Sequence, residues 1–436
     1  MIEIKNKVNK FLKDNDMHYE DIDMDECCDI FMAEMDAGLV GQNSSLAMIP
    51  TYIEVGKDIE ANKPVIVLDA GGTNFRIATV YFDDAGKPVI ENYTQRPMPG
   101  IDKEASKEKF FETIVGYMTN VVDISSNIGF CFSYPTEILP NRDGRLIRFC
   151  KEVKAKQVEG ELIGESLTSA IGAAGYENGK RVVILNDTVA TLLAGMSAFP
   201  NRAFDSYIGF ILGTGSNCCY IESNKNIKKK PELDADREQI INVESGSFSK
   251  APRGKIDLKL DKSTLDPGRY TFEKMFSGAY FGALCLKAIQ TASEQGVFSK
   301  EVSEKFLVLS RLETKEVNDF LQSPNGDNSL AECCKNGNEH DYIAVWYLLD
   351  ALIERAAKLV AVLLSSVVFK TDKGKNPCAP VCITAEGTTF YHLKSLKIKV
   401  GFYLKKFLEE KHNRFVEVVA VENATLIGAA IAGLTN

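Results

Sequence analysis

Two short segments combine glycine with threonine directly after apolar runs. Asp69-Ala70-Gly71-Gly72-Thr73 follows Val65–Leu68, and Gly213-Thr214-Gly215-Ser216-Asn217 follows Tyr207–Leu212. Without Cβ atoms, such turns let successive backbone N–H groups close on a phosphate as an anion nest, and Thr73 and Thr214 add hydroxyl donors there. Asp69 puts a carboxylate where a phosphate would sit, which suits a Mg²⁺ between the two, bound directly or through its water. Taken alone, either turn also reads as an ordinary hairpin. The sequence has no GxxxxGK[ST] element, which excludes a P-loop nucleotide site.

A third segment, Asn186-Asp187-Thr188, follows the apolar run Val182–Leu185 and opens a helical pattern carrying Val189, Leu192, Leu193 and Met196. In open α/β sheets the crevice at a strand's carboxyl end is where ligands bind. Asp187 there reads either as a helix cap or as a base kept ionised, and therefore weak, by the helix dipole. A weak base suits phosphoryl transfer, where the proton leaves the attacking hydroxyl late. Glu244, in Asn242-Val243-Glu244-Ser245-Gly246, and Glu273, in Phe272-Glu273-Lys274-Met275, can each accept two hydroxyls, the usual way to hold a sugar. Each also reads as a solvated surface acid. His18, His340, His392 and His412 lie outside these motifs and GxSxG is absent, which disfavours histidine acid–base chemistry and a serine hydrolase.

The elements that must position these groups form an α/β order. Val65–Leu68, Phe75–Phe82 and Pro88–Tyr93 read as three strands joined by tight turns. A helix over 104–122, a strand at Ile128–Phe132, a helix over about 160–174 and the strand Val182–Leu185 follow. Strand, glycine turn and strand then recur at Tyr207–Ile221, a weak internal repeat that implies a duplicated α/β unit. Residues 1–60 have helical spacing, 270–370 are mostly helical with a long apolar helix over 342–368, and Val381–Thr384 is a late strand. Thr425–Leu434 is a short small-residue helix. At 436 residues the chain exceeds one core and predicts two domains sharing a cleft.

A net charge of −9 argues against general nucleic-acid binding. Eleven cysteines, an odd number with three adjacent pairs, read as reduced thiols and not as a disulfide framework. The apolar stretch Leu359–Phe369 is far short of the about 20 residues that span a bilayer. The N-terminus lacks a signal-peptide core. A soluble, cytoplasmic protein with no membrane partner is the expectation.

The ordered motifs resemble the eukaryote-type hexokinase/glucokinase family. Leu68–Arg76 is similar to its first phosphate motif, Gly129–Pro135 to its sugar-binding strand, and Leu185–Val189 to the segment bearing its catalytic aspartate. Leu212–Asn217 is similar to its second phosphate motif, and Asn242–Gly246 and Phe272–Gly278 to its remaining sugar-contact segments. The resemblance implies two domains of the RNase H-like, actin-like sugar-kinase type around a central cleft. The small domain would comprise 62–187 plus 425–436, and the large one 1–61 plus 188–424.

By the same resemblance the activity is ATP-dependent phosphorylation of a hexose, glucose foremost, at its 6-hydroxyl, with Asp187 as general base and Lys151 beside it. Ser133, Lys151, Asn186, Asn217, Glu244 and Glu273 would hold the sugar. Asp69, Gly71, Gly72, Thr73, Asn74 and Arg76 would face ATP phosphates from one domain, and Gly213 and Thr214 from the other. Asp69 would reach Mg²⁺ through water, and Gly387 and Thr388 would lie near the nucleotide. The partners implied are the hexose and Mg·ATP, with the protein a monomer or a homodimer.

The chain departs from the family pattern at Cys150-Lys151-Glu152-Val153, at Glu386-Gly387-Thr388 and at Thr425-Leu426-Ile427. Leu426, in place of a glycine, implies a reshaped nucleotide pocket. A catalytically weak sugar sensor on the same fold is the alternative. An actin-like or chaperone ATPase of the same superfamily has no use for Ser133, Glu244 and Glu273 together.

Overall fold

The computed structural model describes residues 1–149, 153–177 and 179–436. In chain order its strands are β1 (Ile49–Pro50), β2 (Val65–Gly71), β3 (Asn74–Phe82), β4 (Pro88–Pro97), β5 (Asn127–Phe132), β6 (Thr136–Ile138), β7 (Gly144–Leu146), β8 (Arg181–Leu185), β9 (Ser206–Leu212), β10 (Ser216–Ser223), β11 (Glu238–Asn242), β12 (Val381–Glu386) and β13 (Val416–Val419). Among the described residues, one sheet runs β4-β3-β2-β5-β8 and a second β1-β11-β10-β9-β12-β13, with β6 and β7 as a separate ribbon.

The two sheets repeat one plan. In each, a first strand pairs antiparallel with the second, the second antiparallel with the third, and the fourth and fifth add in parallel on the other side. This is the duplication that the glycine hairpins predict. It also brings the carboxyl ends of β2, β5 and β8 to one edge of the first sheet, and those of β9, β11 and β12 to one edge of the second. The motifs of interest follow directly after these ends.

Three cores support this frame. One lies under the first sheet beside the helices Lys107–Tyr117 and Ile163–Ala173. A second fills the larger half around the helix Glu339–Thr371, where the buried Arg355 guanidinium pairs with Asp257 at 2.6 Å. The third joins the halves, packing Val65, Val67 and Val183 of one sheet with Cys219 and Ile240 of the other through the helices Asp187–Ala198 and Ala424–Thr435.

That third core depends on close backbone approach. A Cβ on Gly428 would overlap the Ala190 carbonyl, one on Gly129 of β5 would overlap the Ala429 carbonyl, and one on Gly209 of β9 would overlap the Thr188 carbonyl. The small-residue pattern of the last helix is therefore a packing requirement.

Several elements differ from expectation. The helix predicted over 104–122 spans Lys107–Tyr117, because the Ser106 hydroxyl caps its start by accepting from Lys109 N at 3.2 Å. Residues 1–60 hold the helices Ile2–Asp14 and Met24–Val40 and also the short strand β1. Leu426 is fully buried in the third core, so it does not face a nucleotide pocket. Its branched side chain fills space between apolar neighbours, and Thr425 is the residue that reaches Asp69, donating to it at 2.8 Å. Replacing Gly428 with alanine should cost about 1–3 kcal/mol from overpacking, read as a lower denaturation midpoint; an unchanged midpoint would contradict the close contact with Ala190.

Candidate active site

The first glycine turn is the hairpin between β2 and β3. Gly72 sits at φ +69°, where a Cβ would meet no protein atom, so its glycine answers to backbone conformation and not to crowding. The turn is clamped from beneath: Tyr134 Oη donates to the Gly72 carbonyl at 2.8 Å, and Met98 N donates to the Thr73 carbonyl at 2.9 Å. Gly71, Thr73 and Asn74 are exposed at its tip.

Asp69 lies below that tip and is only 1% exposed. Its Oδ2 pairs with the Arg76 guanidinium at 2.5 Å and accepts from the Thr425 hydroxyl at 2.8 Å. Burial pushes the Asp69 pKa up, against the opposing pull of Arg76 and Thr425. The charge of Arg76 also acts on Glu386 at the end of β12, whose pKa burial raises and Arg76 lowers.

The second turn joins β9 to β10, and its walls come from distant segments. The Gly213 carbonyl accepts from Gly278 N at 2.8 Å and from the Thr389 hydroxyl at 2.9 Å, and Ala279 N donates to the Thr214 carbonyl at 3.0 Å. Gly387 follows β12, adjacent to β9 in parallel register, and its Cα lies close to where a Gly213 Cβ would be. The structure therefore brings Gly213, Thr214, Gly387 and Thr388 together, with Thr214 and Thr388 exposed. A Cβ on Gly215 would come within 2.6 Å of Glu273 Oε2, which is why glycine is required there.

Asn186, not Asp187, takes the N-cap position of the helix that starts here. Asn186 has extended backbone and is the cap, accepting from Thr188 N at 3.0 Å and from the Thr188 hydroxyl at 2.6 Å. Asp187 is the first helical residue, half-buried, with Oδ1 accepting from Thr188 N at 2.9 Å. Its negative charge contributes, behind burial, to the raised pKa values of Cys131 on β5 and of Cys219 and Glu244 on the other sheet. Asp187 thus stands between the two sheets.

Glu244 is no surface acid. It follows β11 in a left-handed conformation, φ +58°, and is half-buried. Its Oε1 accepts from Asn242 Nδ2 at 2.8 Å and from Asn217 Nδ2 at 3.3 Å, while Asn217 Oδ1 accepts from Cys218 N at 2.7 Å. Glu273 is held by Ser216 N, which donates to its Oε2 at 2.8 Å. Ser133 begins the segment after β5, with its hydroxyl 3.9 Å from the Cys131 thiol. A cavity of about 190 Å³ has Asn186, Asn242, Glu244, Tyr134 and Pro135 in its wall. Lys151, with Cys150 and Glu152, lies outside the described residues.

Asn242 and Thr425 were not singled out from sequence, although Asn242 opens the quoted Asn-Val-Glu segment and its amide fixes both Asn217 and Glu244. Among the described residues no group of three acidic, histidine or cysteine side chains could hold a metal ion. The ten described cysteines are free thiols. No described helix is long and apolar enough to cross a membrane.

Two family models described as hexokinase match the chain, one over residues 7–197 and the other over 207–435. The chain belongs to the hexokinase family. Its relatives include hexokinase-1 of Schizosaccharomyces pombe, 28% identical over 98% of this chain and 91% of that protein. Hexokinase of Schistosoma mansoni is 27% identical over 98% of this chain and 96% of its own length. Against hexokinase-2 of Equus caballus, 29% identical, the match covers 79% of this chain but only 39% of that longer protein. A solved structure of Schistosoma mansoni hexokinase complexed with glucose superposes with a TM-score of 0.80 at 23% identity, covering 100% of this chain and 99% of that one. The fold is thus the two-unit α/β fold of hexokinases, of the actin-like sugar-kinase type.

The carboxylate arrangement carries a stability cost with a definite sign. The raised pKa of Glu244, caused first by burial and also by Asp187, means that its ionised form destabilises the folded protein near neutral pH. That cost falls away as pH drops through the raised pKa. Glu244→Gln keeps the Oε1 acceptor for both amides but removes the charge. Thermal denaturation at neutral pH should give an unchanged or higher Tm for this variant; a clear fall would contradict the assigned burden.

Proposed function

We propose that this protein transfers the γ-phosphoryl group of ATP to the 6-hydroxyl of a hexose, glucose foremost, with Asp187 as the general base. The observation that carries the reading is the position of Asp187, at the head of a helix between the two sheets and within electrostatic reach of Glu244. The glucose complex of the Schistosoma mansoni relative favours glucose as the acceptor. On this reading the lobes are 62–187 with 425–436, and 1–61 with 188–424.

Ser133, Asn186, Asn217, Glu244 and Glu273 hold the sugar hydroxyls, and Lys151 completes the set. The amides that fix Glu244 and Asn217 set their lone pairs before the sugar arrives, so little ordering cost remains at binding. The exposed backbone and hydroxyls at Gly71–Asn74 and Gly213–Thr214 receive the triphosphate, with Gly387 and Thr388 beside the nucleotide. Arg76, oriented by Asp69 and Thr425, adds positive charge toward it.

In the transfer, the sugar O6 forms a bond to the γ-phosphorus as the bond from that phosphorus to the β–γ bridging oxygen breaks. ADP leaves, and the hydroxyl proton passes to Asp187. A Mg²⁺ that accompanies ATP supplies neutralisation of phosphate charge. The donor set suits an ion carried by the triphosphate: Asp69 is buried and paired with Arg76, and would hold such an ion through water.

A coupled assay of ADP release with Mg·ATP and a panel of hexoses tests the reading. Asp187→Asn should lower kcat roughly 10²–10⁴-fold with the far-UV spectrum and Tm preserved. No turnover on any hexose, or full activity in that variant, would contradict it. Sugar binding without turnover in the unaltered protein would favour a sensor.

The pH dependence follows from Glu244. Since burial and the Asp187 charge raise its pKa, protonation begins at a higher pH than for an ordinary glutamate and removes acceptor capacity from the sugar site. Hexose affinity measured by calorimetry should weaken as pH is lowered, and Glu244→Gln should bind more weakly and lose much of that dependence. Equal pH dependence in both proteins would assign it to another group.

A further inference from the structure

One contact bridges the two halves beside the cavity and belongs to none of the motifs. Arg148, in the segment after β7, donates from Nη2 to Tyr270 Oη at 2.6 Å, and its guanidinium carbon lies 5.8 Å from the centre of the same ring. Both residues are half-buried, where a charged donor on a hydroxyl and a cation over a ring are worth more than in open solvent. Tyr270 and Ile147 stand in the cavity wall together with Asn186 and Glu244.

Tyr270 is built to project. It lies at φ +50°, a left-handed conformation that a bulky residue seldom adopts, so the surrounding loop must hold it there. That hold comes from Lys274, buried at 3% exposure. Its ammonium donates to Asp261 at 2.8 Å, the Thr264 hydroxyl at 2.8 Å and the Asp266 carbonyl at 2.8 Å. Lys274 N in turn donates to the Tyr270 carbonyl at 3.1 Å. Glu273 is the residue between these anchors and the second turn.

We propose that Arg148 and Tyr270 form a clasp that positions the acceptor site, tying the Glu273 loop of one half to the β6–β7 side of the other. The inference rests on the hexokinase reading above. The clasp acts on sugar binding and not on the phosphoryl step: it fixes the spacing between Glu273 and the groups following β5. Both partners are positioning residues, since neither is placed in contact with the reacting atoms.

The experiment combines steady-state kinetics with calorimetric titration of glucose in the absence of ATP, for Tyr270→Phe, Arg148→Met, Arg148→Lys and the double variant Arg148→Met/Tyr270→Phe. Each of Tyr270→Phe and Arg148→Met should raise the glucose KM and Kd roughly tenfold while kcat stays within about twofold. The double variant should be no worse than the poorer single one, because the partners act through one contact. Arg148→Lys should recover part of the affinity. Unchanged KM and Kd with only a lower Tm, multiplying effects in the double variant, or loss confined to kcat would each overturn the clasp. If the unaltered protein binds glucose without turnover, the kinase reading fails while the clasp is still tested by Kd.

Discussion

The structure turns on how closely one helix lies against its neighbours. Asp187–Ala198 begins at the end of β8, in one sheet, and packs against the other sheet. Gly209 of β9 admits its Thr188 carbonyl, and Gly428 admits its Ala190 carbonyl. At interior packing density a single methyl group cannot be absorbed at such places. These contacts leave the helix little freedom to shift, so the acid at its head is held relative to both glycine turns. The spacing of these elements is set by glycines packed in the core between the sheets.

Electrostatics adds a second constraint. Asp69 and Glu244 are acids drawn into poorly hydrated ground, the second within reach of the Asp187 charge, and burial raises the pKa of both. Structure elsewhere must offset this cost. For Asp69 the offset is Arg76 and Thr425; for Glu244 it is two amides with no charge of their own. Glu244 is therefore left with acceptor capacity that a neutral hydroxylated ligand can satisfy. This matches the division of labour proposed for the cleft, with the guanidinium on the phosphate side and uncharged partners on the sugar side.

Much of this was legible in sequence because the informative residues sit where strands end. Asp69, Ser133, Asn186 and Gly213 each mark the stop of an apolar run, and parallel topology then gathers those stops at one edge of each sheet. What sequence hid was tertiary. β11 was missed because Glu238-Gln239-Ile240-Ile241-Asn242 does not alternate, and its burial comes from pairing with β10 and β1. Glu244 looked like a surface acid because a left-handed turn leaves no periodic signal. The role of Thr425 could not be read, since its carboxylate partner lies 356 residues away. Leu426 was misplaced for a related reason: adjacent helical residues face different ways, so one reaches Asp69 and the next fills the core. Arg148 and Tyr270 carry no motif and meet only in the folded chain.

The central claim is that Asp187 takes the proton from the hydroxyl that attacks the phosphate. The most direct measurement is a crystal structure of the ternary complex with glucose and a non-hydrolysable ATP analogue. The account predicts an Asp187 carboxylate oxygen within hydrogen-bond reach, about 2.6–3.2 Å, of the sugar 6-hydroxyl, with that hydroxyl facing the γ-phosphate. A 6-hydroxyl paired with another side chain, or turned away from the phosphate while Asp187 contacts only its own helix, would contradict it.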